Sequence, residues 1–329
     1  MKLQYITLAV SSLAFATAVQ AKGNQWEPGF GGDISVVTAY TSTNSQFDKD
    51  NSVTHDLSGS GSHQNHVFIA PLGTVSYTFS QADKQIFFGT SRSDVALGRF
   101  HIEAGYKQRF ANRTQLTLSY IPGILEQDTW SDPFVINQSR DKTKSKVEAF
   151  RVQLDNIMGS PFSVQSAYGK YSVDNERSGW YQTNLTPVQR SSLRRDSDLF
   201  YLEGAYTKPL TQNTVLRTAI NYRNINADGK AMSNNSYGVT STVIQRLDRS
   251  SYAFTLSYKY TDFDSTNPIF SKTQENNEFG AFLAYEYAQP FDWKDWGFVS
   301  LLGYQNDNSN INFYDQDNIL LSVGMNYQF

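Results

Sequence analysis

The chain has 329 residues, no cysteine and a formal net charge of −3, from 28 basic and 31 acidic residues. With 14% aromatic and only 18% charged residues, it is neither a disordered polymer nor a disulfide scaffold or cysteine-based zinc protein, and it lacks the basic surplus of a nucleic-acid binder. The mean hydropathy of −0.48 is that of a soluble protein, and no internal stretch approaches the ~20 apolar residues of a membrane helix.

Residues 1–21 read as a cleaved signal peptide. Lys2 gives a positive start, Tyr5 to Val19 a moderately apolar core, and Val19-Gln20-Ala21 the small residues that a signal peptidase inspects. No cysteine follows the cleavage site, which excludes lipid attachment. The mature chain, 22–329, shows no linker or composition shift and reads as one domain entering the Sec route of a Gram-negative cell.

Along that chain helical periodicity is nearly absent, while period-two alternation recurs. Fourteen strands are predicted, starting near residues 31, 66, 85, 97, 114, 145, 162, 197, 213, 236, 251, 277, 296 and 315. The third and tenth are the weakest, so a count of twelve stays open. One example sets Tyr252, Phe254, Leu256, Tyr258 and Tyr260 against Ala253, Thr255, Ser257, Lys259 and Thr261. Another sets Ile319, Leu321, Val323, Met325, Tyr327 and Phe329 against Leu320, Ser322, Gly324, Asn326 and Gln328. Each strand therefore has one dry and one wet face. Short turns, near 81–84, 111–113, 157–161, 248–250 and 292–295, alternate with long polar loops near 44–65, 123–144 and 174–196. Shorter members of the second set fall near 226–235, 265–276 and 308–314.

A soluble sandwich also alternates, but it buries its aromatics in mid-strand. Here they gather at strand ends. Phe79, Phe110, Tyr206, Tyr287, Phe291, Trp293, Trp296 and Phe329 lie by short turns; Tyr40, Tyr120, Tyr171, Tyr222, Tyr260 and Tyr304 lie by long loops. Two such girdles are what two bilayer interfaces select. Backbone groups in hydrocarbon cannot go unpaired, so the sheet must close on itself. The predicted fold is all-β: a transmembrane antiparallel up-and-down barrel of about fourteen strands, with long extracellular loops and short periplasmic turns.

The ending Tyr327-Gln328-Phe329 resembles the C-terminal signal of outer-membrane barrels, which implies recognition by the barrel-assembly machinery through Tyr327 and Phe329. Three further stretches, Phe87 to Arg92, Asn267 to Phe270 and Ser309 to Asp315, resemble landmarks of an uncharacterised porin-like family of Gram-negative outer-membrane proteins. That resemblance implies an outer-membrane barrel and carries over no catalytic residue. The stretch from Ser309 to Asp315 also resembles the last hairpin of surface-lipoprotein translocator barrels, but their helical-repeat periplasmic domain has no counterpart here.

Alternation sends His101, Glu103, Lys107, Arg151, Glu203, Arg217, Arg223, Lys259 and Glu286 into the lumen. There they either select solutes or pair across the wall and stiffen it. Arg177, Arg190, Arg194 and Arg195 cluster in one long loop with Asp174, Glu176 and Asp196. They could meet lipopolysaccharide phosphates or an anionic solute, or form local ion pairs. His55, His63 and His66 fall in or beside the first long loop among Asp48, Asp50 and Asp56. They offer a rim base or a metal site, or merely decorate a floppy loop whose Gly59-Ser60-Gly61-Ser62 argues for mobility. The function expected is a porin-like channel for passive diffusion of small hydrophilic solutes, needing no cofactor or metal. Its expected partners are outer-membrane lipid, lipopolysaccharide and the assembly machinery. A rim hydrolase acting on lipid or peptide, or a plugged structural or surface-recognition barrel, are the alternatives.

Overall fold

The computed structural model describes residues 26–90, 101–124 and 126–329; the signal peptide expected over residues 1–21 lies outside them. The chain runs through β1 (Gly29–Asn44), β2 (His63–Thr78), β3 (Lys84–Gly89), β4 (Glu103–Arg109), β5 (Gln115–Pro122), β6 (Gln127–Trp130), β7 (Lys142–Asp155) and β8 (Phe162–Val173). It continues through β9 (Ser197–Pro209), β10 (Thr214–Ala227), β11 (Asn234–Leu247), β12 (Ser250–Asn267), β13 (Lys272–Ala288), β14 (Trp296–Ser309) and β15 (Gln316–Gln328). Every strand pairs antiparallel with its neighbours in one sheet. β1 against β15 joins the two ends of the chain, with Ser35 opposite Asn326. β5 and β6 both pair with β7, β5 along Glu148 to Asp155 and β6 along Lys142 to Ser145. They are two pieces of one wall position, and the wall is a closed barrel of fourteen positions. The weak third and tenth strands are both present, as β3 and β11, so the alternative of twelve falls away.

Closure answers the physical problem of the sequence. The alternate positions Val67, Ile69, Phe150, Ile220, Phe254, Leu321 and Val323 are exposed on the outer face. Such a belt in water would be a severe aggregation hazard, whereas in hydrocarbon it is the solvated surface. Rings crowd the short-turn edge, where Phe162–Tyr206, Trp296–Tyr327 and Trp293–Trp296 have centroids 5.2, 5.2 and 6.1 Å apart. At the other edge stand Tyr120–Phe150 at 4.7 Å and Tyr222–Tyr237 at 5.4 Å. Tyr171 does not belong to this girdle. It shares its face with Gln165 and Ala167 and points inward, and Tyr168 takes the outer place.

Two strand starts differ from expectation. β13 begins at Lys272 rather than near 277, because its polar first residues continue the ladder outside the membrane, where pairing needs no apolar side chain. β4 begins at Glu103 rather than near 97; residues 91–100 lie outside those described. At the end of β3, Gly89 has φ +142, and a Cβ there would sit 2.0 Å from the carbonyl oxygen of Gly73. Only glycine allows that approach.

Candidate functional site: the lumen wall and the outer mouth

All nine ionisable residues expected in the lumen lie on the inward face of their strands or, for His101, on the approach to β4. Most are paired. Glu203, 1% exposed, accepts from Arg217 Nη2 at 2.6 Å, from Gln165 Nε2 at 3.0 Å and from the Tyr201 hydroxyl at 2.7 Å. The register explains the middle contact, since Gln165 sits directly opposite Glu203. Arg151 Nη2 lies 3.3 Å from both Glu103 and Gln153, and His101 Nε2 lies 3.9 Å from Glu103. Lys259 meets Glu278 at 2.6 Å across a directly opposed pair, and Arg223 donates to Ser236 Oγ at 3.0 Å. Lys107 lies 4.5 Å above the Phe87 ring, and Glu286 lies opposite Ser251. Acids alternate with bases, so the wall carries dipoles rather than a ladder of one sign.

The outer mouth departs most from the sequence reading. The long loops share one apolar core. Phe134, Leu185, Leu193, Ala231, Ile311 and Phe313 are buried together, with Phe47, Leu57, Met232, Ile269, Phe270 and Tyr314 packed against them. These residues come from the hairpin loops β1–β2, β6–β7, β8–β9, β10–β11, β12–β13 and β14–β15. Phe313 is the hub, with ring centroids 5.7 Å from Phe47, 5.5 Å from Phe134 and 5.4 Å from Phe270. The loops bearing Phe134 and Phe313 leave the rim on nearly opposite sides. A fourteen-strand barrel with strands about 4.8 Å apart and tilted about 40° measures about 28 Å across its backbone. Rings from opposite sides of such a rim can touch only above the axis. The loops therefore form a cap across the mouth.

Polar contacts lock this cap. Arg195 pairs with Glu176 at 2.6 Å and donates to the Trp130 carbonyl at 2.6 Å. Arg140, which the sequence reading passed over, is buried over the Trp130 ring and donates to the carbonyls of Pro133 and Asn51. Sequence gives no sign of it, because both acceptors are backbone carbonyls, one of them 89 residues away in another loop. Arg190 donates to the Gln182 carbonyl at 3.3 Å and faces Trp180. Arg177 ties its backbone N–H to Ser131, and Arg194 is exposed. The four arginines are thus not one basic patch. Two of them, Arg190 and Arg195, spend their guanidinium groups on loop carbonyls. Asn267, fully buried, donates to the Tyr314 hydroxyl at 2.9 Å, and burial pushes that phenol well above its ordinary range.

The first loop is tied to itself by side-chain hydrogen bonds. Asn51 Nδ2 donates to the carbonyls of Ser45 at 2.7 Å and Ser62 at 3.0 Å, which closes it into a compact ring. Its histidines do not converge. His55 and His63 are exposed, His55 contacting Asn137 at 3.2 Å, while His66 is buried with Nε2 3.3 Å from Asp48 and Nδ1 3.6 Å from Asp50. Ligand atoms of these three residues lie within 4.8 Å of one another. However, each ring nitrogen faces a different carboxylate, and the Lys49 ammonium holds Asp50 at 2.8 Å. With its two ring nitrogens turned to two different acids, His66 ties Asp48 to Asp50 within the loop. His66→Ala is expected to release the loop, so that trypsin cuts after Lys49 several-fold faster while the barrel stays resistant to SDS at room temperature. An unchanged digestion rate would mean that the clamp holds nothing.

The family model described as "Protein of unknown function (DUF2860)" matches residues 29–328. The chain belongs to that family. Two of the three stretches that resembled a porin-like family now meet in space, since Asn267, Phe270, Phe313 and Tyr314 all stand in the cap of this DUF2860 barrel. No curated protein matches the chain. Among solved structures it is similar to the outer membrane channel DcaP of Acinetobacter baumannii, at 10% identity over 93% of this chain and 99% of that one, with a TM-score of 0.44. It is also similar to a loop L8 deletion mutant of the outer membrane protein OmpT of Vibrio cholerae, at 11% identity, 92% and 100% coverage and a TM-score of 0.43. A third is OpdQ of Pseudomonas aeruginosa, at 10% identity, 91% and 98% coverage and a TM-score of 0.40. What this family member does has to come from its own wall and mouth.

Proposed function

We propose that this protein is an outer-membrane channel of a Gram-negative cell through which small solutes diffuse passively. The observation that supports this best is the inner wall. A fourteen-strand ring about 28 Å across lies between the filled eight-strand barrels and the open sixteen-strand ones, and its inward positions set small residues such as Ala219, Thr242 and Thr255 beside polar and charged ones such as Gln165, Glu203 and Arg217. The charged residues between them lie back against the wall in pairs, as Glu203 does with Arg217. An inner face that carries polar and paired charged groups is what a conduit needs, and a passive one needs no cofactor. The cap spans its outer mouth, and in this reading passage requires the loops to part. Delivery would begin with removal of residues 1–21, and the assembly machinery would read Tyr327 and Phe329, whose rings lie outward at the closing seam. Lipid and lipopolysaccharide would surround the girdled rim. Hydrolysis at the rim is disfavoured, because His55, His63 and His66 do not gather around a common reacting point. The purified, folded protein in a planar bilayer should give discrete conductance steps. A silent but SDS-resistant barrel would defeat this reading in favour of a plugged structural one.

A further inference from the structure

The residues that lead into β1 do not hang below the barrel. The Arg109 guanidinium lies over the Trp26 ring, with Cζ 3.9 Å from the ring centroid. Trp26 stands only three residues before β1, whereas Arg109 ends β4, three wall positions away in the order β1–β2–β3–β4. Arg109 shares the inward face of β4 with Glu103 and Lys107, and its Nε donates to Gln115 Oε1 at 3.4 Å across the β4–β5 pair. A ring that meets this inward side chain from the start of β1 has to pass inside the hairpin that joins β2 to β3. Trp26, Glu27 and Pro28 therefore turn into the lumen at its periplasmic end.

Local chemistry makes that turn. Gly29 has φ +113, which lets the chain swing inward just before Phe30 faces the lipid. Pro28 stiffens the approach, since its ring fixes φ and holds Glu27 extended. β4 repeats the contact one inward step higher, where Lys107 Nζ lies 4.5 Å above the Phe87 ring. Consecutive inward cations of β4 thus each lie over an aromatic face. Phe87 is built into β3, but Trp26 belongs to no strand. A cation over a ring at a partly exposed site is attracted only modestly, so this contact can hold the segment and also release it.

We propose that Trp26 and Arg109 form a latch at the periplasmic mouth, which sets both the width and the charge of that mouth. Closed, it keeps Trp26 to Pro28 at the edge of the path and the Arg109 guanidinium against a ring. Open, it widens the mouth and turns that positive charge toward passing ions. The latch is separate from the cap, which spans the opposite end, and its effect on conduction rests on the channel reading.

The chain has no cysteine, so Glu27→Cys takes a single nitroxide label that reports on the segment without any conduction. In the folded, detergent-solubilised full mature chain the label is expected to be restrained with Trp26 in place and with Trp26→Phe. It should become freely mobile with Trp26→Ala and with Arg109→Gln. The same substitutions, unlabelled, are then recorded in planar bilayers in the Phe313→Ala background, so that the cap does not hide the inner mouth. Trp26→Ala and Arg109→Gln should both enlarge the unit conductance, yet move reversal potentials in opposite directions, the first toward anions and the second toward cations. A merely structural contact would not give that split. Equal label mobility in all four chains would overturn the latch and leave the channel reading standing. A released label with unchanged conductance and selectivity would overturn its role at the mouth. Silence from every folded chain would remove the channel reading, and with it that role, whatever the label shows.

Discussion

Phe313→Asp is expected to open the mouth. Phe313 is fully buried, and rings from three other loops contact its own. Truncating a ring in such a position typically costs ~3–5 kcal/mol, and a buried carboxylate with no partner costs more. The loss falls on the cap, because the wall is held by its own ladder of backbone hydrogen bonds and contributes no strand residue to this cluster apart from what the loops carry in. The variant should therefore keep the heat-modifiable migration of a folded barrel. It should show a conductance several-fold above the native protein, and cells carrying it should become sensitive to large hydrophilic antibiotics. Unchanged conductance in a folded variant would mean that the loop core does not obstruct the path.

The second large effect concerns the wall. Glu203 and Arg217 are 1% and 3% exposed and 2.6 Å apart. Glu203→Gln keeps the shape and removes the negative charge, so Arg217 is left in a tight site with no counter-ion. Breaking a buried pair on one side costs ~3–5 kcal/mol, and water in the lumen would lower that figure. The change should reduce thermal stability by several degrees and shift reversal potentials toward anions, since the field of an unopposed positive charge in the wall then acts on the path. Arg217→Met should shift them toward cations, and the double variant should recover much of the lost stability. If both single variants matched the native protein in stability and selectivity, the pair would be neither a brace nor a filter.

The wall was legible in the sequence because alternation is a local signal. His101, Glu103, Lys107, Arg151, Glu203, Arg217, Arg223, Lys259 and Glu286 could be assigned inward by counting from apolar neighbours, with no knowledge of which strand lies beside which. The partners were not legible. That Glu203 meets Arg217 while Lys259 meets Glu278 depends on register and on the reach of side chains. Tyr171 shows the limit of reading position without parity. It stands near the right end of its strand but on the inner face, and Tyr168 holds the place in the girdle. Leu320 shows another: it stands on the wet face among polar neighbours, and only the register places it across Gly303 from the inward Phe282.

The cap was hidden for a deeper reason. Phe134, Leu193, Phe270 and Phe313 are scattered apolar residues in polar segments, with no periodicity to mark them and more than a hundred residues between the first and the last. Only closure of the wall brings their loops to one rim and makes a shared core possible. Loops that looked solvated became a buried structure because the barrel supplied the proximity. The basic residues of the β8–β9 loop changed meaning for the same reason, Arg195 and Arg190 bonding to the carbonyls of Trp130 and Gln182 rather than waiting for an external anion.

The most direct measurement is single-channel recording of the native chain and the Phe313→Asp variant side by side in planar bilayers, each shown by SDS resistance to be folded. The account predicts discrete steps in both, with those of the native chain rare or small and those of the variant markedly larger. Silence from both folded proteins would contradict it.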